Sequence, residues 1–232
     1  MPTAGGARAR ARAEISAEIR AAARRQLAEL GPAGLSLRAV ARELGMVSSA
    51  LYRYVTSRDE LLTALIVESY DSLGEAAEER ARATAGEAPR RRWVELARAV
   101  RGWAIEHPNE YALLYGTPVA GYAAPEATNV PGTRVSLALV GVVRDAATAG
   151  RLVPRPPLAL SGALRQDLAR LGELLVLDLD ESTLVRMVAA WTQLFGLVSF
   201  ELFGQTRGVV AAHEELLLAC AAAQADAIGL SG

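Results

Sequence analysis

The sequence contains no lysine, so all 25 of its basic residues are arginine. That absence excludes a phosphate-loop lysine, a Schiff-base lysine and a serine–lysine dyad. The single cysteine, Cys220, excludes an internal disulfide and a cysteine-rich metal site, and it is typical of a reducing compartment. No apolar run approaches the roughly 20 residues that span a membrane, and no apolar stretch follows the basic start. We therefore expect a soluble cytoplasmic protein with no metal and no cofactor.

Aromatic residues are also scarce, at 5%, whereas alanine, leucine, arginine and glutamate dominate a chain that is 51% hydrophobic. This balance favours helix over strand, and no strand-like alternation of useful length is found. Residues 1–60 hold ten arginines against six acidic residues, a balance of +4 within a net charge of −1. A basic N-terminal segment followed by an acidic remainder is typical of a nucleic-acid-binding domain joined to a second module. The composition predicts an all-α fold.

Three helices are predicted in the first sixty residues. Apolar residues recur at spacings of three and four over 15–30, which indicates an amphipathic helix. Ser36 can cap a short second helix, and Gly45 can end it. A third short helix then follows over about 48–55. Two short helices joined by a tight glycine turn match a helix-turn-helix.

The rest of the chain reads as longer helices. Ser57 and Glu60 form a capping box that opens a fourth helix, and Pro89 can occupy the first turn of a fifth helix that Pro108 interrupts. Later helical patterns cover 133–149, 158–175, 182–203 and 208–227, giving about nine helices in all. We predict a flexible basic arm over 1–12, a helix-turn-helix domain over 13–60 and a larger helical domain over 61–232.

The third helix has one apolar side and one polar side. Steps of about 100° per residue bring Leu51 and Val55 to within about 40° of each other, so these two residues are predicted to be buried. Ser49 and Arg53 then point outward, with two tyrosines on the flanks. Small side chains permit close approach to a major groove, an arginine can reach a guanine edge or a phosphate, and tyrosine hydroxyls can bind phosphates. Alternatively, the two tyrosine rings simply cover a small three-helix core.

The stretch "LSLRAVARELGMVSSALYRYVTSRDELLTALI" resembles the N-terminal DNA-binding domain of tetracycline-repressor-like (TetR-type) transcriptional regulators, with a specific match over about residues 15–66. The resemblance implies that the third helix reads operator DNA. Family members often have Ser or Thr where this chain has Val47, so the cap of that helix is expected to shift to Ser48 or to be weaker. The resemblance implies backbone contacts from Ser36 and Arg38, a reading helix that starts at Ser48 and Ser49, operator contacts from Tyr52, Arg53 and Tyr54, and a phosphate contact from Arg58.

In this family the C-terminal part is a helical domain that dimerises and often holds an effector pocket. The segment "WAIEHPNEYALLYGTPVAGYAAPEATNVPGTR" also resembles a subgroup with a Trp/His-Pro/Tyr/Gly pattern. Aromatic side chains with polar tips beside a Gly/Pro-rich loop are plausible pocket material, which makes Trp103, His107, Tyr111 and Tyr115 candidate effector-binding residues. Alternatively, His107 caps a helix end and Trp103 is an ordinary core residue.

The last two predicted helices have long apolar faces, which fit a four-helix interface between two copies. A two-fold reader needs a dimer to place its recognition helices about 34 Å apart. The same faces could equally pack within one subunit. The candidate interface residues are Leu194, Phe195, Val198, Leu202, Leu217, Leu218 and Ala221.

These features together predict a homodimeric repressor that a small molecule releases from a palindromic operator. One alternative is a helical interaction module without sequence-specific DNA binding. The other is a small-molecule enzyme, which two histidines, one cysteine and no lysine disfavour. His213 and Cys220 lie two helical turns apart, at roughly 10 Å, too far for a nucleophile and its base.

Overall fold

The computed structural model describes residues 4–230, and over this range the fold is all-α, as the composition predicted. Short 3-10 turns occupy Pro32–Gly34 and Glu126–Thr128. The ten α-helices are α1 Ala4–Leu30, α2 Leu37–Glu43, α3 Ser48–Leu51, α4 Arg58–Ala83, α5 Pro89–Glu106, α6 Pro108–Tyr115, α7 Asn129–Thr148, α8 Gly162–Leu175, α9 Glu181–Leu202 and α10 His213–Ile228.

The chain divides into two compact units. Residues 1–71 and 107–132 form the first unit, and residues 72–106 and 133–232 form the second. This division follows packing, so it differs from the boundary after residue 60 that the sequence suggested, and that boundary stays a prediction.

The helix that the sequence patterns missed is α6. Pro108 was expected to interrupt α5, but it begins a new helix, with His107 as its N-terminal cap residue. Proline is well tolerated in a first helical turn, because its missing N–H would have no intrahelical partner there. The same reasoning explains why α7 begins at Asn129, four residues earlier than predicted, with Pro131 in its first turn.

Helix α1 is longer than predicted. It begins at Ala4, so residues 4–12 are helical, whereas the sequence suggested a basic arm over 1–12. Residues 1–3 lie outside the described residues. The predicted end of the arm at residue 12 therefore does not coincide with the end of any structural element.

The core of the first unit is formed where α1, α2, α3 and the start of α4 meet. Ile19, Val40, Leu51 and Leu62 are fully buried there. Burying each such side chain contributes about 1.5–3 kcal/mol to the stability of this unit. Leu113 of α6 joins the same cluster.

The predicted caps largely form. The Ser36 hydroxyl accepts a hydrogen bond from the Ala39 amide at 3.4 Å, and Gly45 ends α2 with a φ of 65° that favours glycine. At the start of α4 the Glu60 amide donates to Ser57 Oγ at 3.0 Å. The returning bond differs from the prediction, because the Glu60 carboxylate accepts from the amide and the hydroxyl of Thr56.

In the second unit, α5 packs against α10 and α9, and α8 packs against α9. Arg101 of α5 fastens this arrangement, since it donates to both carboxylate oxygens of Glu201 at 2.6 and 2.8 Å and to Glu214 at 3.2 Å. Hydrogen bonding to Glu201 raises the pKa of Arg101, which keeps the guanidinium charged.

Helix α9 is the one helix within the described residues that is long and apolar enough, by composition, to cross a membrane. A core helix of a soluble protein passes the same test. The apolar side chains of α9 are found on more than one side of the helix: Leu194 and Val198 are buried, while Trp191 and Phe200 are exposed.

Candidate nucleic-acid interface and ligand cavity

The segment from Val47 to Val55 has the two-sided geometry that its periodicity predicted. Leu51 is fully buried and Val55 is 9% exposed, so the prediction for these two residues is confirmed. Ser49 and Arg53 are exposed on the outer side. The segment is therefore anchored by two aliphatic side chains while its small and basic residues face solvent.

Helix α3 is shorter and more weakly capped than a regular recognition helix. It ends at Leu51, and the chain continues through turns in which the amides of Tyr54 and Val55 donate to the Leu51 carbonyl at 2.8 and 3.2 Å. Val47 is the cap residue and makes no side-chain cap bond. Of the two expectations for this position, the weaker cap is the one observed.

The two tyrosines of this segment differ in environment. Tyr52 is 48% exposed, whereas Tyr54 is half-buried and packs against the core of the first unit. Arg12 of α1 lies over the Tyr54 ring at 5.4 Å from the ring centroid, and its Nη2 donates to the Arg53 carbonyl at 3.0 Å. Sequence patterns gave no sign of this contact, because it joins residues 41 positions apart.

The other predicted DNA contacts flank the segment. Arg38 and Ser48 are exposed, and Ser36 is half-buried, its amide donating to the buried Gln26 side chain at 3.2 Å. Arg58 is half-buried and occupied within the chain: its guanidinium donates to the carbonyls of Leu35 at 3.1 Å and Pro32 at 2.8 Å. Arg38 and Ser48 are thus open to solvent, whereas Arg58 connects the start of α4 to the turn before α2.

The four candidate effector-binding residues do not lie in one unit. Trp103 is a buried residue of the second unit whose indole N–H donates to Ser72 Oγ at 2.9 Å. His107, Tyr111 and Tyr115 belong to the first unit, where the rings of Tyr111 and Tyr115 lie 4.9 Å apart. Their role as a ligand site stays a prediction.

Tyr115 is the centre of a tyrosine cluster, with the Tyr70 ring edge-on at 6.2 Å. Burial raises the pKa of Tyr115, and the neighbouring phenols Tyr70 and Tyr111 raise it further. Burial also raises the pKa of Tyr70. The phenols of Tyr70 and Tyr115 are therefore neutral at physiological pH.

A separate cavity of about 230 Å³ lies in the second unit. Helices α5, α7, α8 and α9 supply its walls, and apart from Ser136 every lining side chain is apolar. The lining residues are Trp93, Ser136, Leu139, Val140, Leu171, Leu175, Leu184, Met187, Val188 and Trp191. Such a surface offers a ligand apolar contact and a single hydroxyl, and it provides nothing to neutralise a charge.

Helix α8 covers one side of this cavity and is held by irregular segments at both ends. Residues 153–161, which form no regular secondary structure, precede it. Val176 follows it in the left-handed conformation, with φ 52° and ψ 53°. A β-branched residue is strained in this conformation by about 1–3 kcal/mol, so backbone strain is present at the C-terminal end of α8, next to the cavity.

Most of the candidate dimer residues are buried within the subunit. Leu194, Val198, Leu217 and Ala221 are at most 2% exposed and have no surface to offer a partner. The remaining three, Phe195, Leu202 and Leu218, are half-buried. The apolar side chains that face outward on and just after α9 are Trp191, Phe200 and Phe203, which are 41%, 53% and 43% exposed.

Comparison with known proteins matches both parts of the chain. Residues 19–65 match the family described as "Bacterial regulatory proteins, tetR family", and residues 93–223 match "Tetracyclin repressor-like, C-terminal domain". HTH-type transcriptional regulators of Mycobacterium tuberculosis and Mycobacterium bovis are 41% identical over 211 residues, which is 86% of this chain and 86% of theirs.

Solved structures match the same fold. The crystal structure of a protein described as regulatory, SCO4313, is 33% identical with a TM-score of 0.75 and covers 93% of this chain and 97% of that one. RolR, crystallised with its ligand resorcinol, has a TM-score of 0.54 at 13% identity, covers 96% of this chain and 95% of its own, and shows the fold alone.

Proposed function

Because the chain belongs to the tetR family of bacterial regulatory proteins, we propose that it is a homodimeric repressor that leaves a palindromic operator when a small molecule binds its C-terminal domain. Membership makes it a DNA-binding transcriptional regulator, and the relatives are named as regulators rather than enzymes. Our proposal goes beyond family membership in four respects: repression, dimerisation, release by a ligand and action in the cytoplasm.

The observation that supports sequence-specific DNA binding is the set of exposed side chains on the segment that follows Gly45. Ser48, Ser49 and Arg53 are exposed around α3, while Leu51 fixes the orientation of the segment from below. Small residues permit close approach to a base-pair edge, and an arginine without an ion pair among the described residues is available for a guanine or a phosphate. This arrangement supports insertion of α3 into the major groove.

The exposed side of α9 supports the dimer. Val188, Thr192, Gly196 and Ser199 lie between the exposed aromatic residues on the helical wheel, so this side carries almost no charge. Exposed apolar patches of this kind mark interfaces. We propose that this side of α9 packs against its two-fold mate, in place of the buried residues that periodicity alone indicated.

The cavity beneath α8 supports a neutral, apolar effector. Its volume suits a molecule of roughly one or two aromatic rings, and Ser136 offers one hydrogen bond. Release from DNA then requires that the ligand bind more tightly to the conformation that reads DNA poorly, since a ligand shifts an equilibrium only by its differential affinity.

Selection of bound sequences from random duplex DNA by the purified protein tests the reading function. We expect a palindromic motif, and Arg53→Ala should weaken binding to that motif by about 1–3 kcal/mol if Arg53 reads a base. Arg155→Ala is a suitable control, because Arg155 is an exposed arginine of the second unit. Absence of any enriched sequence, with affinity insensitive to salt, would favour the interaction module instead.

Light scattering coupled to size exclusion tests the dimer. Trp191→Glu and Phe200→Glu place charges on the exposed side of α9 and should shift the protein to monomer. Val209→Glu, at an apolar position that is 78% exposed beyond α9, should leave the mass unchanged. A dimer that survives both α9 substitutions would place the interface elsewhere.

A further inference from the structure

The first turns of α1 extend beyond the core of the first unit. Residues 8–14 are all exposed, and the first fully buried residue of the helix is Ile19. We call residues 4–14 the basic extension. At a rise of 1.5 Å per residue, the exposed residues 8–14 alone form about 10 Å of helix that buries almost no apolar surface. Packing therefore does not explain why this part of the chain is helical.

The charges of the basic extension run against local helix rules. Arg8, Arg10 and Arg12 lie in the second and third turns of α1, and no acidic residue precedes Glu14 to balance their charge. Arg8 and Arg12 are four residues apart, a spacing at which like charges repel. None of the three arginines forms an ion pair with any residue between 4 and 230. Violations of local rules concentrate at functional sites.

One contact fixes where the basic extension lies. The Arg12 guanidinium donates to the Arg53 carbonyl at 3.0 Å and covers the Tyr54 ring. This side of α1 therefore faces the end of the segment that we propose reads DNA. Arg8 is one turn earlier on the same side, about 6 Å further along the axis. Arg10 is about 200° away on the opposite side, where its Nε donates to the Gly6 carbonyl at 3.3 Å.

We propose that the basic extension is a second DNA-binding element, in which Arg8 donates to phosphate oxygens flanking the groove that α3 enters. The proposal rests on the proposed DNA-reading function and extends it to residues before the helix-turn-helix. In a helix-turn-helix the reading helix occupies the major groove, and neighbouring elements contact the backbone beside it. An element tied to the end of the reading segment and carrying unpaired arginines is placed for such contacts. It adds affinity without adding sequence preference, because phosphates carry no base identity.

The test compares two substitutions that remove the same charge from opposite sides of one helix. Affinity of wild type, Arg8→Gln and Arg10→Gln is measured against salt concentration, on the duplex that wild type selects from a random pool and on a random duplex of equal length. Each phosphate contact contributes about 0.9 to the slope of log affinity against log salt. We expect Arg8→Gln to reduce the slope by about 0.9 per subunit, or about 1.8 for a dimer, on both duplexes, and Arg10→Gln to change it by less than half as much. Arg8→Lys should restore the slope.

Three outcomes would overturn the proposal while leaving DNA reading intact. The slope of Arg8→Gln could equal that of wild type, the two glutamine variants could lose the same amount, or Arg8→Gln could weaken binding to the selected duplex only. Equal losses would indicate a general charge effect, and a selective loss would indicate base reading. If wild type itself shows neither sequence selection nor salt dependence, the proposed DNA-binding function is refuted, and the proposed role of the basic extension is refuted with it. Amide hydrogen exchange of peptides that cover α1 checks that the helix is retained in each variant.

Discussion

Arg58 is the residue for which resemblance and structure suggest different roles, and the difference can be measured. The resemblance implies a phosphate contact, whereas the guanidinium donates to the carbonyls of Leu35 and Pro32 and so ties the start of α4 to the turn before α2. Hydrogen bonds from a charged group contribute about 1.5–3 kcal/mol each, and exposure of about a third of the side chain reduces this. We take about 2 kcal/mol for the pair of bonds.

Arg58→Ala should therefore destabilise residues 32–45 locally. A loss of 2 kcal/mol corresponds to about 30-fold faster amide hydrogen exchange in peptides that cover the turn and α2. Arg38→Ala is the matched control, because the Arg38 side chain is exposed on α2 and makes no hydrogen bond within the described part of the chain. It should leave exchange unchanged and reduce the salt slope of DNA binding by about 0.9 per subunit if it contacts a phosphate.

Unchanged exchange in Arg58→Ala, together with a salt slope reduced as in Arg38→Ala, would refute this reasoning. Arg58 would then be a phosphate ligand whose two internal bonds contribute little to stability. Mass spectrometry of exchanged peptides resolves the point without a global unfolding transition, which a chain of two compact units need not complete in one step.

Three further predictions concern pH, a backbone position and the cavity. Hydrogen bonding to Thr56 lowers the pKa of Glu60, so its stabilising effect is present at neutral pH and is lost as pH falls through the folded-state pKa; the melting-temperature difference between wild type and Glu60→Gln should shrink below about pH 4. Gly229→Ala should lower stability by about 1–3 kcal/mol in thermal melts, because φ is 104° and an added Cβ would approach the Val153 carbonyl oxygen to 2.2 Å; an unchanged melt would mean that this turn relaxes freely. Leu171→Trp should fill the cavity and weaken binding of the neutral probe N-phenyl-1-naphthylamine at least tenfold, whereas Leu174→Trp on the outer side of the same helix should not; equal binding by both variants would locate the probe elsewhere.

Sequence patterns predicted the helical class and most helix ends, because caps and spacing are local properties. Ser36, Gly45 and Pro89 stand where the sequence placed them, since each acts through the backbone of its own turn. The sequence did not predict α6, because a proline can end one helix and also begin the next, as Pro108 does. Local rules alone could not decide between those two outcomes.

The site was predictable only where one helix determines it. Leu51 and Val55 followed from a period of 3.6 residues, but the tie from Arg12 and the cap support from Gln26 depend on tertiary contacts that have no sequence signature. For the dimer, periodicity identified an apolar side of α9 and could not say whether its own chain or a partner covers it. Burial of Leu194 and Val198 decides that these residues pack within the subunit.

The tryptophans of this chain give the cavity its own optical signal. Trp93 and Trp191 line it, and the third tryptophan, Trp103, is buried with its indole N–H bonded to Ser72. In a Trp103→Phe variant, all tryptophan emission would come from the two residues that line the cavity. Since indole emission responds to the polarity around the ring, unlabelled protein could be screened against neutral aromatic compounds by the shift and quenching of its own fluorescence, before any operator sequence is known.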